Sequence, residues 1–248
     1  MATLPKHARV VVVGQGGIVG ASVVHHLIEE GWDDIVGLEK SAIPTDIGST
    51  SHASDFCYMT SHDKLNVEIT NYSREFYAKR GNYIQTGGLE VARKGDDERM
   101  LELIRKVGSG KAFGTNAYMI SAAEAKEKFP LLEEDQIQGA LWDPDAGLVT
   151  PRSQKVAGDL VDEAVASGKL KAFAYTPATK LLVEGGEIKG VETPKGTITA
   201  DYVVLCVGIW CNLVSQTAGV KLPPMPLEHP LLFFGPWDHL EGTGKAIG

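Results

Sequence analysis

The feature that most constrains this chain is a glycine-rich loop between a strand and a helix. Arg9-Val-Val-Val-Val13 is a short β-branched run bounded by glycine, so it reads as a buried strand. Gly14-Gln-Gly-Gly-Ile-Val-Gly20 follows, and a helical pattern runs from Ile18 to about Glu30, with Gly31 as its C′ glycine. Ile35 to Leu38 reads as a second strand, ending in Glu39. A strand–helix–strand unit predicts a parallel sheet. Gly14, Gly16 and Gly20 are spaced GxGxxxG, one residue longer than the bare GxGxxG fingerprint. Glycines here, Gly17 among them, let the turn close and the backbone approach a pyrophosphate. The helix N-terminus adds N–H groups and a positive dipole end. Glu39, nineteen residues after Gly20, places a carboxylate where ribose hydroxyls would lie. The loop therefore predicts dinucleotide binding, against the plainer reading of a ligand-free glycine turn.

Composition narrows the partners. Lys plus Arg is 24 against 32 Asp plus Glu in 248 residues, a net charge of −8. Nucleic acid and anionic membrane surfaces need basic protein surfaces, so neither is an expected partner. No apolar run approaches the roughly 20 residues of a membrane helix, and Met1 to Arg9 has no apolar signal-peptide core. Cys57, Cys206 and Cys211 are an odd count without CxxC spacing. That predicts no disulfide framework, no metal site and a reducing cytoplasm.

Further along, Lys40 to Ser54 reads as a small, polar loop. Asn66 to Lys79 and Asp96 to Val107 read as helices, and Gly88 to Ala92 and Ile137 to Trp142 as strands. Ser121 and Glu124 form a capping box for a short helix that stops before Pro130. Asp143 to Gly147 is turn chemistry. Thr150-Pro151 predicts a helix start, with Thr as cap, running to about Ala166. Lys171 to Tyr175 reads as a strand, and Ala178 to Val183, Glu187 to Thr193 and Thr197 to Ala200 as an antiparallel meander. Tyr202 to Val207 reads as a separate buried strand, Gly208 as a helix opening, and Leu231 to Phe234 as a further strand. The expected fold is α/β: a discontinuous Rossmann-type domain, 1–54 plus 150–222, with an inserted α+β substrate domain, 55–149 plus 223–248. Trp142 and Trp210 read as core, and His25 and His26, adjacent on the first helix, cannot share a metal face.

An N-terminal βαβ unit, a long insertion, a meander and a closing strand match the layout of FAD enzymes better than the consecutive βα units of nicotinamide domains. The residues also carry a family likeness. Gly14 to Gly20 with Glu39-Lys40, Gly48-Ser-Thr-Ser-His-Ala53, Gly87-Gly-Leu-Glu-Val-Ala92, Asp143-Pro-Asp-Ala-Gly147 and Gly208-Ile-Trp210 span most of the chain. With them it resembles the flavin-dependent amine oxidoreductases of the D-amino-acid-oxidase superfamily, in the sarcosine and dimethylglycine dehydrogenase (oxidase) branch.

That resemblance implies FAD held by Gly14, Gly16, Gly17, Gly20, Glu39, Lys40, Ser49, Thr50, His52 and Gly208. It implies covalent flavin attachment at His52, the histidine of Gly-Ser-Thr-x-His-Ala. It gives His229 a catalytic place on the substrate side. Ser54-Asp55 stands where the branch has Pro-Gly or Ala-Gly, and Cys206-Val-Gly where it has Ala-Gly-Gly or Ala-Thr-Gly. The implied reaction is oxidation of an N-methylated amino acid, a small-molecule amine, by hydride transfer to flavin. Family members run on past residue 248, so the resemblance also implies an N-terminal portion. A C-terminal domain that could bind folate would lie outside it. Two alternatives stand beside this: a non-catalytic or regulatory flavoprotein subunit, and an NAD(P)-binding dehydrogenase domain.

Overall fold

The computed structural model describes residues 3–227. His229 and the expected strand Leu231 to Phe234 lie outside the described residues. The chain opens with β1 (His7–Val13), α1 (Ile18–Glu29) and β2 (Ile35–Leu38). Then come β3 (Phe56–Cys57), α2 (Lys64–Lys79), β4 (Tyr83–Ile84), β5 (Gly88–Arg93) and α3 (Asp97–Ala112). They are followed by β6 (Tyr118–Ile120), α4 (Ala122–Lys128), β7 (Ile137–Asp143) and β8 (Gly147–Val149). Last are α5 (Ser153–Ala166), β9 (Leu170–Phe173), β10 (Lys180–Glu184), β11 (Glu187–Thr193), β12 (Gly196–Leu205) and α6 (Cys211–Ser215). Two compact units result. One runs up to Ala53 and resumes at Pro151; the other holds Ser54–Thr150.

The first unit is a six-stranded mixed sheet in the order β10-β11-β12-β1-β2-β9. β12, β1, β2 and β9 run parallel, and β10 and β11 complete the antiparallel edge. Ala8 and Val10 to Val13 are at most 4% exposed, as a β-branched run buried on both faces requires. Ile35, Val36 and Leu38 beside them are equally buried. α1 contributes Ala21 and Val24 to the core, and α5 contributes Val156, Ala157, Leu160 and Val161. Gln15, between the first two glycines of the loop, turns inward and is fully buried. β2 answers with Gly37, where a Cβ would fall 2.5 Å from Gln15 Cγ.

Three expectations for this unit change. The strands Thr197 to Ala200 and Tyr202 to Val207 are one strand, β12, which pairs antiparallel with β11 through Gly196 to Thr199 and parallel with β1 through Thr199 to Leu205. Asp201, between the two expected strands, lies in β12 and is exposed. Nor is the distal half buried, since Tyr202 is 53% exposed. The helix after Thr150 starts at Ser153, with extended Arg152 as N-cap. Thr150 lies two residues before that cap, and its backbone pairs with Asn82 instead: its N–H donates to the Asn82 carbonyl (3.0 Å) and its carbonyl accepts from Asn82 Nδ2 (2.8 Å). Finally, Gly208 opens a single 3-10 turn, Gly208–Trp210, before the short α6.

The second unit has two three-stranded antiparallel sheets, β3-β8-β4 and β5-β7-β6. Ser121 and Glu124 form the expected capping box on α4. Asp63 and Asp96 cap α2 and α3 through their side chains. α3 runs past Val107 to Ala112, with Gly108 and Gly110 inside the helix. A Cβ on Gly110 would sit 2.4 Å from Thr115 Oγ1. Among the described residues no helix is long and apolar enough to cross a membrane. All three cysteines are free.

Candidate functional site

β12, β1 and β2 are parallel neighbours, so their carboxyl ends share one edge of the sheet. The loops that leave them converge there, which is where open α/β sheets bind ligands. They enclose a cleft of about 310 Å³ in the first unit. Gly14, Gly17, Glu39, Lys40, Ser49, Thr50 and Gly208 line it. Thr45, Thr176, Pro177, Ala178, Cys206 and Trp210 line it as well.

The glycines divide by role. Gly14 has φ +85°, and a Cβ there would land 2.5 Å from the Cys206 carbonyl oxygen; only glycine closes this turn. Gly17 is the N-cap of α1 and faces the cleft. Gly20 does not line the cleft. A Cβ there would lie 2.3 Å from the Gly14 carbonyl oxygen, so Gly20 lets the helix pack onto the turn. Gly16 does not line it either; its N–H donates to Glu39 Oε2 at 3.2 Å.

Glu39 is 6% exposed. Its Oε1 accepts from the Ser41 N–H (3.1 Å) and the Ser41 hydroxyl (3.3 Å). With Gly16, three donors engage a carboxylate that offers about four acceptor sites. The acid is thereby fixed in direction and keeps one site for a ligand hydroxyl. The next residue, Lys40, sets its ammonium 3.2 Å from the centre of the Trp210 ring. Partial burial lowers its pKa, against the Glu39 carboxylate, which raises it.

The loop from Lys40 to Ala53 folds over the start of α1. Thr50 Oγ1 accepts the Ile18 N–H at 3.0 Å, and the Thr45 N–H donates to the Gly16 carbonyl at 2.9 Å. α1 has no acidic residue in its first turn and no side-chain cap at Gly17. Its dipole end is therefore available to an anion. Arg152 holds the far end of the loop, donating to the carbonyls of Ser51 (3.3 Å) and Ala53 (3.1 Å). His52 is exposed and is not part of the cleft lining. Its Nδ1 lies 3.0 Å from both the Gly48 carbonyl and Ser51 Oγ. Cys206, on the opposite wall, has its thiol pushed up to about 11 by burial.

Sequence reasoning missed Trp210, Thr45 and the segment Thr176 to Ala178. Trp210 read as core. The available signal was position, since it stands two residues past Gly208 at the sheet's carboxyl edge.

These residues fit a dinucleotide. The turn is glycine by necessity, a helix N-terminus opens at Gly17, and a fixed carboxylate ends the second strand. The class this defines, a dinucleotide-binding α/β unit interrupted by an insertion, agrees with the family comparison. Residues 9–246 match the family model for FAD dependent oxidoreductases (DAO), and the chain belongs to that family. It is 32% identical over 244 residues to the mitochondrial pyruvate dehydrogenase phosphatase regulatory subunit of Mus musculus, covering 95% of this chain and 27% of that one. It is 31% identical over 239 residues to the mitochondrial sarcosine dehydrogenase of Homo sapiens, covering 91% and 25%. Among solved structures it is similar to L-proline dehydrogenase from P. horikoshii, with TM-score 0.79 and 32% identity over 89% of this chain and 58% of that one. The chain thus spans about a quarter of the length of the curated relatives it matches.

Proposed function

We propose that this chain is the FAD-binding part of an oxidoreductase acting on an N-methylated amino acid such as sarcosine or dimethylglycine. The observation that carries the reading is the cleft itself, with its obligatory glycine turn and three-point-held carboxylate in a chain of this family. The similarity to sarcosine dehydrogenase supports the substrate class.

The chain's part is binding and placement. Gly14 and Gly17 allow a pyrophosphate to approach the backbone, and the α1 N-terminus stabilises its charge. Glu39 takes a ribose hydroxyl, while Ser49 and Thr50 offer hydroxyls beside the phosphates. When bound, FAD supplies the acceptor for a hydride equivalent from the substrate C–N unit. His52, on the loop that Arg152 anchors, is the proposed covalent attachment point. His229, outside the described residues, keeps the proposed role of orienting the substrate amine. Folate, if used, would bind outside this chain.

The test is to purify the chain with flavin, precipitate it with acid and add amine to the native protein. Flavin that stays with the pellet and is lost in His52→Ala supports attachment. Flavin in the supernatant removes that role and keeps the cleft. Bleaching by sarcosine or dimethylglycine supports the substrate class; bleaching only by amines that carry no N-methyl group overturns it. A second reading, a flavin-binding regulatory subunit without turnover, draws on the similarity to the phosphatase regulatory subunit. It predicts bound flavin that no amine bleaches.

A further inference from the structure

Lys40 and Trp210 both line the cleft and lie against each other. Lys40 follows Glu39 at the carboxyl end of β2, and Trp210 stands on the turn after β12. β1 lies between those strands, so their carboxyl ends are about 10 Å apart in the sheet. Two long side chains reach across that gap and meet as a cation over a ring, at 3.2 Å. A cation on an indole face that also lines a ligand cleft occupies the surface on which a flat base would stack.

The lining is also uneven. Ser49 and Thr50 stand by the helix N-terminus, where phosphates belong, while Pro177, Ala178, Val207 and Val214 give the cleft an apolar share. With phosphates at the helix N-terminus and ribose at Glu39, Trp210 and that apolar lining remain for a base.

We propose that Trp210 is the stacking platform for the purine base of the dinucleotide, and that Lys40 covers this face as a placeholder which the base displaces. The inference rests on the FAD reading above and adds to it a base-binding residue and a competition. Base-on-aromatic stacking sets the expected size at roughly tenfold in affinity. The placeholder, a partly exposed cation–π pair, is worth about threefold.

The probe is ADP, which carries the base without the flavin, with FAD titrated in parallel on the full chain. ADP should quench tryptophan fluorescence, and Trp210→Phe should abolish most of that quench while keeping affinity. Trp210→Leu should weaken ADP and FAD by roughly tenfold. Lys40→Met should tighten ADP more with Trp210 present than in Trp210→Leu, by about threefold; this cycle cancels any attraction of Lys40 for the phosphates. FAD binding unchanged by Trp210→Leu overturns the inference and leaves the FAD reading standing. So does a Trp210 quench given by FMN and not by ADP. A Lys40→Met effect equal in both backgrounds overturns the placeholder. A folded chain that binds neither ADP nor FAD overturns both the inference and the reading beneath it.

Discussion

The two units are held in different ways. In the nucleotide unit, space is the limiting quantity. β1 is buried on both faces, Gly20 and Gly14 bring helix and turn into backbone contact, and Gly37 makes room for Gln15. The inserted unit also has tight glycines, a Cβ on Gly147 falling 2.2 Å from the Ile84 carbonyl oxygen, and adds buried acids held by side-chain donors. Asp143 is 1% exposed and accepts from the Thr60 hydroxyl (2.6 Å) and the Asp145 N–H (3.2 Å). Glu90, 9% exposed, accepts from Lys106 and Arg99. The unit's apolar residues form two small clusters, one of Ala92, Leu103, Val107, Ala117 and Leu141, the other of Ile120, Ala125, Ile137 and Ala140. The difference teaches that the site-bearing unit is shaped by close packing around its glycine turn. The insertion adds buried polar pairs to its packing, and one of them, Thr60 with Asp143, joins residues 83 apart in sequence.

The largest expected effect tests the space limit. Gly20→Ala forces a Cβ into the Gly14 backbone and should cost about 3 kcal/mol, with loss of nucleotide binding. Gly108→Ala, a helical glycine with nothing within 4 Å, should instead stabilise by roughly 0.5–1 kcal/mol. Urea unfolding of the pair checks this; similar values for both would break the comparison.

Next is Asp143→Ala. It strands the buried Thr60 hydroxyl and should cost about 2 kcal/mol in the same assay. A loss near zero would mean that the insertion does not depend on its buried polar pairs.

Gln15→Leu sharpens the contrast from the other side. Neither amide atom of this fully buried side chain has a partner among the described residues. Replacement by an apolar group of similar size should raise stability by about 1 kcal/mol. A loss instead would show that a buried water satisfies the amide.

The smallest effect is one of pH. The Cys206 thiol is raised from 9.0 to about 11, so the folded state keeps a proton that the unfolded chain loses earlier. Its contribution is complete below pH 9 and declines as pH rises through 11. Cys206→Ala should therefore show a shallower alkaline loss of stability than the parent. Equal slopes would place the thiol in water.

This contrast also explains what the sequence could show. The limits of β2 and β11 are those the residue pattern predicts, and α1 starts where predicted, because β-branched runs and glycine stops act locally. β3, β4, β6 and β8 have two or three residues each, too few for any periodicity, and their pairing is settled by distant partners. Thr150 likewise pairs with a distant residue, Asn82, and the helix starts beyond it. In the cleft, the loop glycines and Glu39 were legible because their work is backbone geometry next to them in sequence. Thr176 to Ala178 and Trp210 were not, because they reach the cleft only through the order of strands in the sheet. His52, legible only through family resemblance, lies on the exposed loop beside the cleft lining.

The most direct test of the central claim is a titration of the folded chain with FAD, followed by flavin fluorescence with NAD as the competing ligand. The account predicts saturation at one FAD per chain, reversal by ADP, and loss in Gly20→Ala. A cooperatively unfolding chain that binds NAD and leaves FAD free would contradict it.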